Sequence, residues 1–345
     1  MFTRLELENF GIFDRFEWND HANINILIGE NDTGKTYILK TLYCIAKSIE
    51  DYDKLSAVNT WKQIIADKLF WVFQPSKKYL GSIVRRDGDR LVAKANVWAN
   101  DYFFEFGKDT KNTIVKATDS SHNPNNYNAI FIPPKEVLTA KGAIKLARDR
   151  FGFDQTYYDL IDAIEIPISL QTGLKAEELR DRWDEASDLI SAFFGGDIAL
   201  GEGGDFTLTR DRETYSMAEA AEGIKKLAAI VTLIRNQRLR SGTILFFDEP
   251  ENNLHPRAIL ALCKAIFQLS QENVQVYIAT HSYFVIKQFE LLAREHKKTI
   301  QMCSLQKSEG IIKPEFRDLQ EGLPDNPIID VSIKLYEDDV RLCLE

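Results

Sequence analysis

A glycine-rich segment early in the sequence has the residue types and spacing of a phosphate-binding loop. Gly29 and Gly34 frame four residues, and Lys35 and Thr36 follow directly, which gives the pattern G-x-x-x-x-G-K-T. In such a loop, glycines let backbone N–H groups approach phosphate oxygens, the lysine supplies a cation for the β- and γ-phosphates, and the threonine hydroxyl binds Mg²⁺. The pattern predicts a nucleotide site formed by Gly29, Asn31, Asp32, Thr33, Gly34, Lys35 and Thr36.

The surroundings of this loop have the order that the motif needs. An apolar run, Ile24–Ile28, precedes the loop, and a stretch with a helical pattern, 37–46, follows it. This order places a helix N-terminus at the phosphates, where the positive end of the helix dipole favours anions. The alternative interpretation is a glycine-rich turn before an ordinary helix, and the match in this context disfavours it.

Two adjacent carboxylates follow a second apolar run. The run Ile244–Phe247 leads directly into Asp248 and Glu249. The carboxyl ends of buried strands are where α/β sheets place their chemistry, so the pair is predicted to lie beside the phosphates. We expect Asp248 to bind Mg²⁺ together with Thr36, and Glu249 to polarise the water that attacks the γ-phosphate. A pair on a solvent-facing turn is the alternative, which burial of the preceding strand disfavours.

A histidine ends a third apolar run, in the segment YIATHS. Alone, His281 would be interpreted as structural. Because titratable groups at strand ends beside a site usually belong to that site, His281 is predicted to sense the γ-phosphate. Glu249 and His281 are therefore the predicted catalytic residues.

The remaining pattern of the sequence predicts an α/β fold with a parallel sheet. Apolar alternation in 4–10 and 13–18 indicates an antiparallel strand pair at the start. A long amphipathic helix is expected from Met217 to about Arg238. Beyond it, strands and helices alternate as in a parallel sheet with covering helices, with strands at 243–247, 274–279 and 300–305, helices at 256–269 and 283–296, and a short helix from Asn326.

The middle of the chain has a different character. Residues 50–75 are predicted to be helical, and 80–106 to be a β-segment with a hairpin turn at Asp87-Gly88. We therefore predict two parts: a discontinuous ATPase-type core, 1–50 and 205–345, and an inserted lobe, 51–204. Within the lobe we expect a strand ended by Pro133 and a mostly helical stretch over 143–200 that is broken at Gly152, near Pro167 and at Gly195-Gly196. The second part of the core is expected to begin with a strand at 205–209.

Composition sets limits on the class of protein. The 345 residues are 44% hydrophobic and 28% charged, which is typical of a globular protein, and no apolar run approaches the length of a membrane helix. The four cysteines are far apart, so we expect free thiols and a cytoplasmic location. A net charge of −9 argues against a protein covered in nucleic acid. Two basic clusters, 77–90 and 135–150, are interpreted first as solvated surface.

The motifs GENDTGKT, ILFFDEPENNLHP and ATHS together resemble the nucleotide-binding domain of ABC-type ATPases. The resemblance is nearer to the SMC, RecF and overcoming-lysogenisation-defect (OLD) branch of AAA-type ATPases than to transporters. Among these proteins, the sequence is particularly similar to ATPase subunits of bacterial anti-phage systems of the Septu-like and retron-associated kinds. The resemblance implies a P-loop NTPase fold of ABC-ATPase type, with a mixed sheet, antiparallel N-terminal strands and a largely helical inserted lobe.

The resemblance also implies a head-to-tail dimer that encloses two Mg-ATP. Asn31 then belongs to the face that binds nucleotide within one subunit, Asn252 and Asn253 lie in the loop called the D-loop, and His281 is the switch histidine. A glutamine that couples nucleotide to a partner has its candidate in Gln74, which could equally lie in an ordinary loop.

The segment that should contact ATP from the opposite subunit departs from the family. Where relatives have a Leu-Ser-Gly-Gly-Gln-like signature, this chain has 221–224, and Ala221 replaces the serine. One interpretation keeps Gly223 as a phosphate contact at a helix start. The other starts the helix at Ser216, with Ser216 and Glu219 as a capping box. The sequence leaves both open, and either one suggests slow hydrolysis.

These patterns lead to an ATP-driven switch or scaffold as the expected function. The 345 residues lack the long coiled coils of a full SMC protein and the full transporter signature, and the forty or so residues after Leu305 are too few for a fused nuclease domain. The expected effector is therefore a separate protein, and the resemblance to defence ATPases implies that it is a nuclease or toxin in anti-phage defence. The alternatives are a RecF-like DNA-repair ATPase and a nucleotide-sensing structural protein without turnover.

Overall fold

The fold consists of a central sheet, a second antiparallel sheet and covering helices. A computed structural model describes residues 1–56, 58–75, 79–119, 127–165, 176–201, 205–308 and 310–344. Its strands are β1 Phe2–Phe10, β2 Phe13–Asn19, β3 Ile24–Gly29, β4 Arg90–Val97, β5 Asn100–Gly107, β6 Lys116–Ala117, β7 Ala129–Ile132, β8 Asp197–Leu200, β9 Phe206–Arg210, β10 Glu213–Ser216, β11 Ile244–Asp248, β12 Gln275–Thr280, β13 Gln301–Ser308 and β14 Ile311–Asp318. Its helices are α1 Lys35–Leu55, α2 Trp61–Phe73, α3 Lys141–Phe151, α4 Gln155–Glu165, α5 Ala176–Ser191, α6 Glu222–Arg235, α7 Pro256–Gln271, α8 Tyr283–His296 and α9 Pro327–Leu344.

The central sheet has the strand order β14-β13-β3-β12-β11-β7. Strands β13, β3, β12, β11 and β7 run parallel, and β14 pairs antiparallel with β13 at one edge. Strands β3, β11 and β12 are buried along their whole length, which explains why they read as continuous apolar runs. The predicted parallel sheet is confirmed, and β14 is an addition that the sequence did not indicate.

Helices cover both faces of the central sheet. On one face, Phe246 packs in a core with side chains of α1 and of the antiparallel sheet, so α1 lies between the two sheets. On the other face, Phe247 packs with side chains of α6, α7 and α8. Because successive strand residues point to opposite faces, one short apolar strand contributes to both cores. The carboxyl ends of the parallel strands all lie at the same end of the sheet, and the P-loop and the acidic pair follow β3 and β11 there.

The antiparallel sheet differs from the predicted hairpin. Its order is β2-β1-β4-β5-β6, so β4 pairs with β1 rather than forming a separate lobe. The β4–β5 turn lies at Trp98-Ala99, with φ of 50° and 63°, which is the geometry of a two-residue hairpin. The prediction of a hairpin at Asp87-Gly88 is wrong: that turn connects Val84, bridged to Phe10, with β4. Tertiary pairing with β1 overrides the local turn signal.

The predicted division into a core and an inserted lobe stays a prediction. The segment 51–204 supplies β4, β5 and β6 to the antiparallel sheet and β7 to the central sheet. The predicted helical stretch over 50–75 is divided between two helices, because α1 runs to Leu55 and α2 starts after the capping box of Thr60. The break at Gly152 is confirmed between α3 and α4, whereas Pro167 lies outside the described residues.

The helix that precedes β11 starts later than predicted. Ser216 accepts a hydrogen bond from the Ala218 N–H (3.2 Å) and caps a short 3₁₀ turn at 217–219. Ala220 and Ala221 then adopt extended backbone, and α6 begins at Glu222. The helix start at Ser216 is therefore wrong, because two extended residues interrupt the chain between the capped turn and α6. In the described part of the chain, no helix combines the length and apolarity needed to cross a membrane.

Candidate nucleotide site

The loop between β3 and α1 has a backbone that requires glycine at both of its ends. Gly34 has φ of +90°, and a Cβ placed there would lie 2.5 Å from the ring of Phe13. Gly29 has φ of +152°, and its Cβ would lie 2.6 Å from the carbonyl oxygen of Leu305. No other residue fits these positions without displacing the β1–β2 turn or β13. The predicted positions of the motif glycines therefore have a structural reason.

Lys35 reaches back over the loop. It is the first residue of α1, and its Nζ donates to the carbonyls of Gly29 (2.7 Å) and Glu30 (2.8 Å). Burial lowers the pKa of Lys35, and the nearby charges of Glu249 and Asp248 counteract this effect. The ammonium is thus held at the helix N-terminus, where the phosphates of a nucleotide would lie.

The other predicted loop residues differ in their exposure and contacts. Thr33 is buried, and its hydroxyl donates to the Glu30 carbonyl (2.8 Å), which closes the loop on itself. Asn31 and Asp32 are exposed, and Asp32 has a left-handed backbone with φ of 66°. Their predicted contacts with nucleotide remain predictions.

Thr36 and Asp248 meet, as predicted for a metal pair. The Thr36 hydroxyl donates to both carboxylate oxygens of Asp248, at 3.1 and 3.2 Å. Asp248 is only 3% exposed, and burial raises its pKa to about 6, with the charge of Glu249 adding to the shift. A buried carboxylate whose partner is a hydroxyl fits a divalent cation, which would stabilise the ionised form. A bound Mg²⁺ would supply charge neutralisation for the phosphates.

The remaining ligands of such a cation would come from elsewhere. Among the described residues, no group of three or more His, Cys, Asp or Glu side chains could hold a metal by itself. Mg²⁺ commonly uses one or two protein oxygens together with substrate phosphates and water. Thr36 and Asp248 match that mode of binding.

Glu249 is held from two sides. Its Oε1 lies 2.9 Å from His281 Nε2, and its Oε2 accepts a hydrogen bond from the Asn252 amide at 2.5 Å. Its backbone is left-handed, with φ of 50°, a conformation that costs a non-glycine residue about 1–3 kcal/mol. The structure therefore brings Glu249 and His281 together and fixes the carboxylate in one orientation, as a general base requires.

Glu251 is a site residue that the sequence interpretation missed. Its Oε1 accepts hydrogen bonds from the Thr280 hydroxyl (2.8 Å) and from the backbone N–H of His281 (3.1 Å). Glu251 thus ties the loop after the acidic pair to the end of β12 and orients His281 through its backbone. The third acidic residue in the segment DEPE was the available signal.

Gly223 lies at the start of α6 and Gln74 at the end of α2, and the roles of both residues stay predictions. Gly223 is in the first turn of α6, and a Cβ there would lie 2.4 Å from the Asn253 carbonyl oxygen. Gln74 is exposed and ends α2 with φ of 46°. Its neighbour Phe73 packs 5.2 Å from the ring of Tyr37, the residue after Thr36, so the end of α2 lies near the P-loop helix.

Comparison with curated proteins finds partial relatives. DNA replication and repair protein RecF of Streptococcus suis is 24% identical over 145 residues, which cover 42% of this chain and 35% of RecF. Old nuclease of Escherichia phage P2 is 38% identical over 64 residues, which cover 19% of this chain and 10% of that protein. The chain therefore spans about a third of the length of RecF and a tenth of the length of Old nuclease.

Comparison with solved structures identifies the fold. The Smc head domain of Pyrococcus furiosus, bound to the C-terminal domain of ScpA, superposes with a TM-score of 0.54 at 11% identity and 98% coverage of both chains. An SmcHead bound to the C-winged helix domain of ScpA gives 0.56 at 12% identity, covering 93% of this chain and 99% of that one. At these identities the likeness shows a common fold.

A family model described as "AAA domain, putative AbiEii toxin, Type IV TA system" matches residues 24–287. That range includes the P-loop, the acidic pair and His281. It is well over half of the chain. The chain belongs to this AAA-domain family and has the fold of ABC-type ATPases of the SMC, RecF and OLD kind.

Proposed function

We propose that the chain binds Mg-ATP at the P-loop and hydrolyses it slowly. The observation that carries this proposal is one contiguous arrangement at the edge of the central sheet. Lys35 lies over the loop, the Thr36 hydroxyl bonds to Asp248, and Glu249 contacts His281 at 2.9 Å. In this arrangement Lys35 and the loop N–H groups bind phosphate, Thr36 and Asp248 hold Mg²⁺, and Glu249 takes a proton from water.

A second copy of the chain completes the site in this proposal. The N-terminus of α6, at Gly223, offers backbone N–H groups to the γ-phosphate of the opposite subunit. Ala221 cannot supply the hydroxyl that the corresponding serine would provide, so the contact is weaker and turnover slower. In the proposed head-to-tail dimer, a two-fold axis places the α6 N-terminus of each copy at the P-loop of the other copy. The dimer then has two equivalent sites.

The proposed output is control of a separate effector, a nuclease or toxin, in anti-phage defence. The family description names a putative AbiEii toxin and a Type IV TA system, and one partial relative is a nuclease. The described residues hold no cluster of metal-binding side chains that could serve a nuclease of their own. Dimer closure on ATP and its relaxation after hydrolysis would change the surface presented to that effector. The free cysteines fit a reducing, cytosolic setting.

A RecF-like function in DNA repair is the second candidate. The similarity to RecF over 145 residues supports it, as does the SMC-head fold. In this case ATP would promote DNA binding, and the affinity would fall steeply with salt because lysines and arginines displace counterions from phosphates.

Nucleotide binding is the first test of both proposals. We expect Lys35→Ala to weaken ATP binding by about 100-fold or more, because the variant loses the cation above the phosphates. A fluorescent ATP analogue titrated against both proteins measures the change. Unchanged affinity in Lys35→Ala would overturn every version of the proposed function.

A second experiment separates the two outputs. Affinity purification from the native host, with and without ATP, should recover a nuclease or toxin if the chain controls an effector. Titration with duplex DNA at two salt concentrations should instead show ATP-dependent, salt-sensitive binding if the chain acts like RecF. DNA binding of that kind without any effector would favour the second candidate.

A further inference from the structure

Lys226, in the second turn of α6, is a buried lysine at the base of the site. Its side chain is 4% exposed, and its ammonium lies 5.3 Å from the centre of the Phe247 ring. Nζ donates to the backbone carbonyl of Glu249 at 2.6 Å and lies 3.4 Å from the carbonyl of Pro134. The closest partners of this charge are therefore two carbonyl oxygens.

Burying a lysine in this way is costly. Desolvation lowers the pKa of Lys226 to about 8, and the charges of Glu251, Asp248 and Glu249 only partly counteract the shift. A methionine or leucine would fill the same place on an apolar helix face at lower cost. The presence of a charged residue at this position must therefore be explained by the groups that its ammonium contacts. The shorter of its two hydrogen bonds is to the Glu249 carbonyl.

That carbonyl belongs to the residue whose backbone is strained. Glu249 has a left-handed backbone, with φ of 50°, and its N–H donates to the carbonyl of Ala279 in β12 at 2.8 Å. The Glu249 carbonyl accepts hydrogen bonds from Lys226 at 2.6 Å and from the backbone N–H of Asn252 at 3.2 Å. Both backbone polar groups of Glu249 are therefore held, the N–H by the sheet and the carbonyl by α6 and by its own loop. Such over-determination is what lets a strained conformation persist.

The same helix touches the loop after Glu249 at a second point. Gly223, one turn before Lys226, lies against the Asn253 carbonyl so closely that a Cβ would be 2.4 Å from it. The first two turns of α6 therefore contact this loop on both sides of Asn252, at Glu249 and at Asn253, and the Asn252 side-chain amide in turn holds the Glu249 carboxylate.

We propose that Lys226 is a positioning residue for Glu249, and that it couples the position of α6 to the orientation of the carboxylate. The inference rests on the proposed ATPase function and adds to it a coupling between assembly and hydrolysis. A contact that moves the first turn of α6, such as the second copy of the chain, would move the Glu249 backbone through Lys226. Hydrolysis would then respond to assembly without a side chain reaching across the interface.

The test compares Lys226→Met with Lys225→Met. Lys225 is the matched control, because it is 5% exposed in the same helix but pairs with Glu222 at 2.7 Å. We expect Lys226→Met to lower kcat by about 10- to 100-fold, the range for a displaced catalytic group, with KM for ATP changed by less than about three-fold. Lys225→Met should keep kcat within about two-fold of the wild type.

Two further measurements distinguish positioning from a general structural role. Hydrogen–deuterium exchange of the nucleotide-free protein should speed up across 249–254 in Lys226→Met and not in Lys225→Met. The double variant Lys226→Met with Glu249→Gln should be no slower than Glu249→Gln alone, because Lys226 acts through Glu249. If Lys226→Met fails to fold, Lys226→Arg, which keeps the charged donor, should retain normal exchange across 249–254.

The outcomes separate this inference from the function on which it rests. Wild-type kcat in Lys226→Met, additive losses in the double variant, or unchanged exchange in the folded variant would overturn the role of Lys226. If Lys226→Arg is the only variant at this position that folds, faster hydrogen–deuterium exchange across 249–254 in Lys226→Arg than in the wild type would overturn the role of Lys226. Glu249→Gln with normal turnover would instead overturn the proposed role of Glu249 itself.

Discussion

Asp248 and Glu249 are adjacent in sequence but occupy different environments. Asp248 is buried beneath the P-loop, bonded to Thr36, with a pKa raised to about 6. Glu249 reaches toward the open side of the site, with a side chain 28% exposed and fixed by His281. Different environments give paired carboxylates different roles, and here they favour a metal ligand and a base.

The raised pKa of Asp248 predicts a pH-dependent gain in stability for Asp248→Asn. The folded protein holds the Asp248 proton more tightly than the unfolded chain, since the pKa moves from 3.8 to about 6. Ionised Asp248 therefore destabilises the nucleotide-free fold above pH 6, and the cost disappears as the pH falls below 4. Asparagine removes that cost, which is on the order of 1–3 kcal/mol.

We expect Asp248→Asn to raise the Tm of the nucleotide-free protein at pH 7.5 by about 3 °C or more, and to leave it unchanged near pH 4. Thermal unfolding at both pH values measures the difference. If the variant melts at or below the wild-type temperature at pH 7.5, ionisation of the buried Asp248 carboxyl does not destabilise the fold.

His281→Ala removes the nitrogen that lies 2.9 Å from Glu249. We expect kcat to fall by about 10- to 100-fold, because the carboxylate loses one of its two side-chain contacts, while ATP affinity changes by less than about three-fold. His255→Ala is the control: His255 caps α7 by accepting a hydrogen bond from the Arg257 N–H, so it should affect stability more than turnover. Equal losses in both variants would contradict a specific role for His281.

Among the elements, the first turn of α6 packs on the loop after Glu249 and also contains the proposed contact with the nucleotide of the opposite subunit. Gly223→Ala would place a methyl group 2.4 Å from the Asn253 carbonyl. We expect the helix to shift, turnover to fall by about ten-fold or more, and the Tm to drop, whereas ATP binding to the P-loop remains. Parallel turnover and nucleotide-binding assays test this expectation.

The control for Gly223→Ala is Gly142→Ala in α3, where a Cβ would meet no atom within 4 Å. This change should stabilise the protein by roughly 0.5–1 kcal/mol, because alanine favours a helix over glycine. If Gly223→Ala behaves like Gly142→Ala, then α6 does not pack tightly on the loop after Glu249.

Some elements could be predicted from sequence and others could not. The strand–helix alternation from β11 to β13 was predictable because β11 and β12 are buried along their whole length and read as apolar runs, and β13 is buried over 302–305. The pairing of β4 with β1 was not predictable, since it joins residues far apart in the chain and its hairpin turn uses Trp98 and Ala99, which are not typical turn residues. The start of α6 was left open between Ser216 and the segment 221–224 because Ser216 caps a different, shorter turn just before the helix, and the structure starts α6 at Glu222.

The same contrast holds within the site. The P-loop, the acidic pair and His281 were predictable because motif spacing and strand ends carry their signal. Lys226 and Glu251 were missed because their roles depend on distances between elements. The two adjacent lysines in the otherwise apolar stretch IKKLAAIV of α6 were the available signal, although they did not indicate which carbonyl Lys226 would contact.

For the whole molecule, the proposal of a dimer leads to a direct prediction. The Glu249→Gln variant should hold ATP without hydrolysing it, so addition of ATP should shift the mass of the particle to twice that of the monomer. Adding Lys35→Ala to this variant should abolish the shift. Light scattering with and without ATP measures both. A monomer that binds ATP at saturation would contradict the completion of the site by a second copy.

The measurement that tests the central claim most directly is phosphate release by the wild type and by Glu249→Gln, with ATP affinity determined on the same preparations. The account predicts Mg²⁺-dependent release by the wild type. It predicts a loss of about 100- to 10,000-fold in Glu249→Gln, with ATP affinity within about three-fold of the wild type. Equal phosphate release by the two proteins would contradict the assignment of the base, and with it the composite site built from Lys35, Thr36, Asp248, Glu249 and His281.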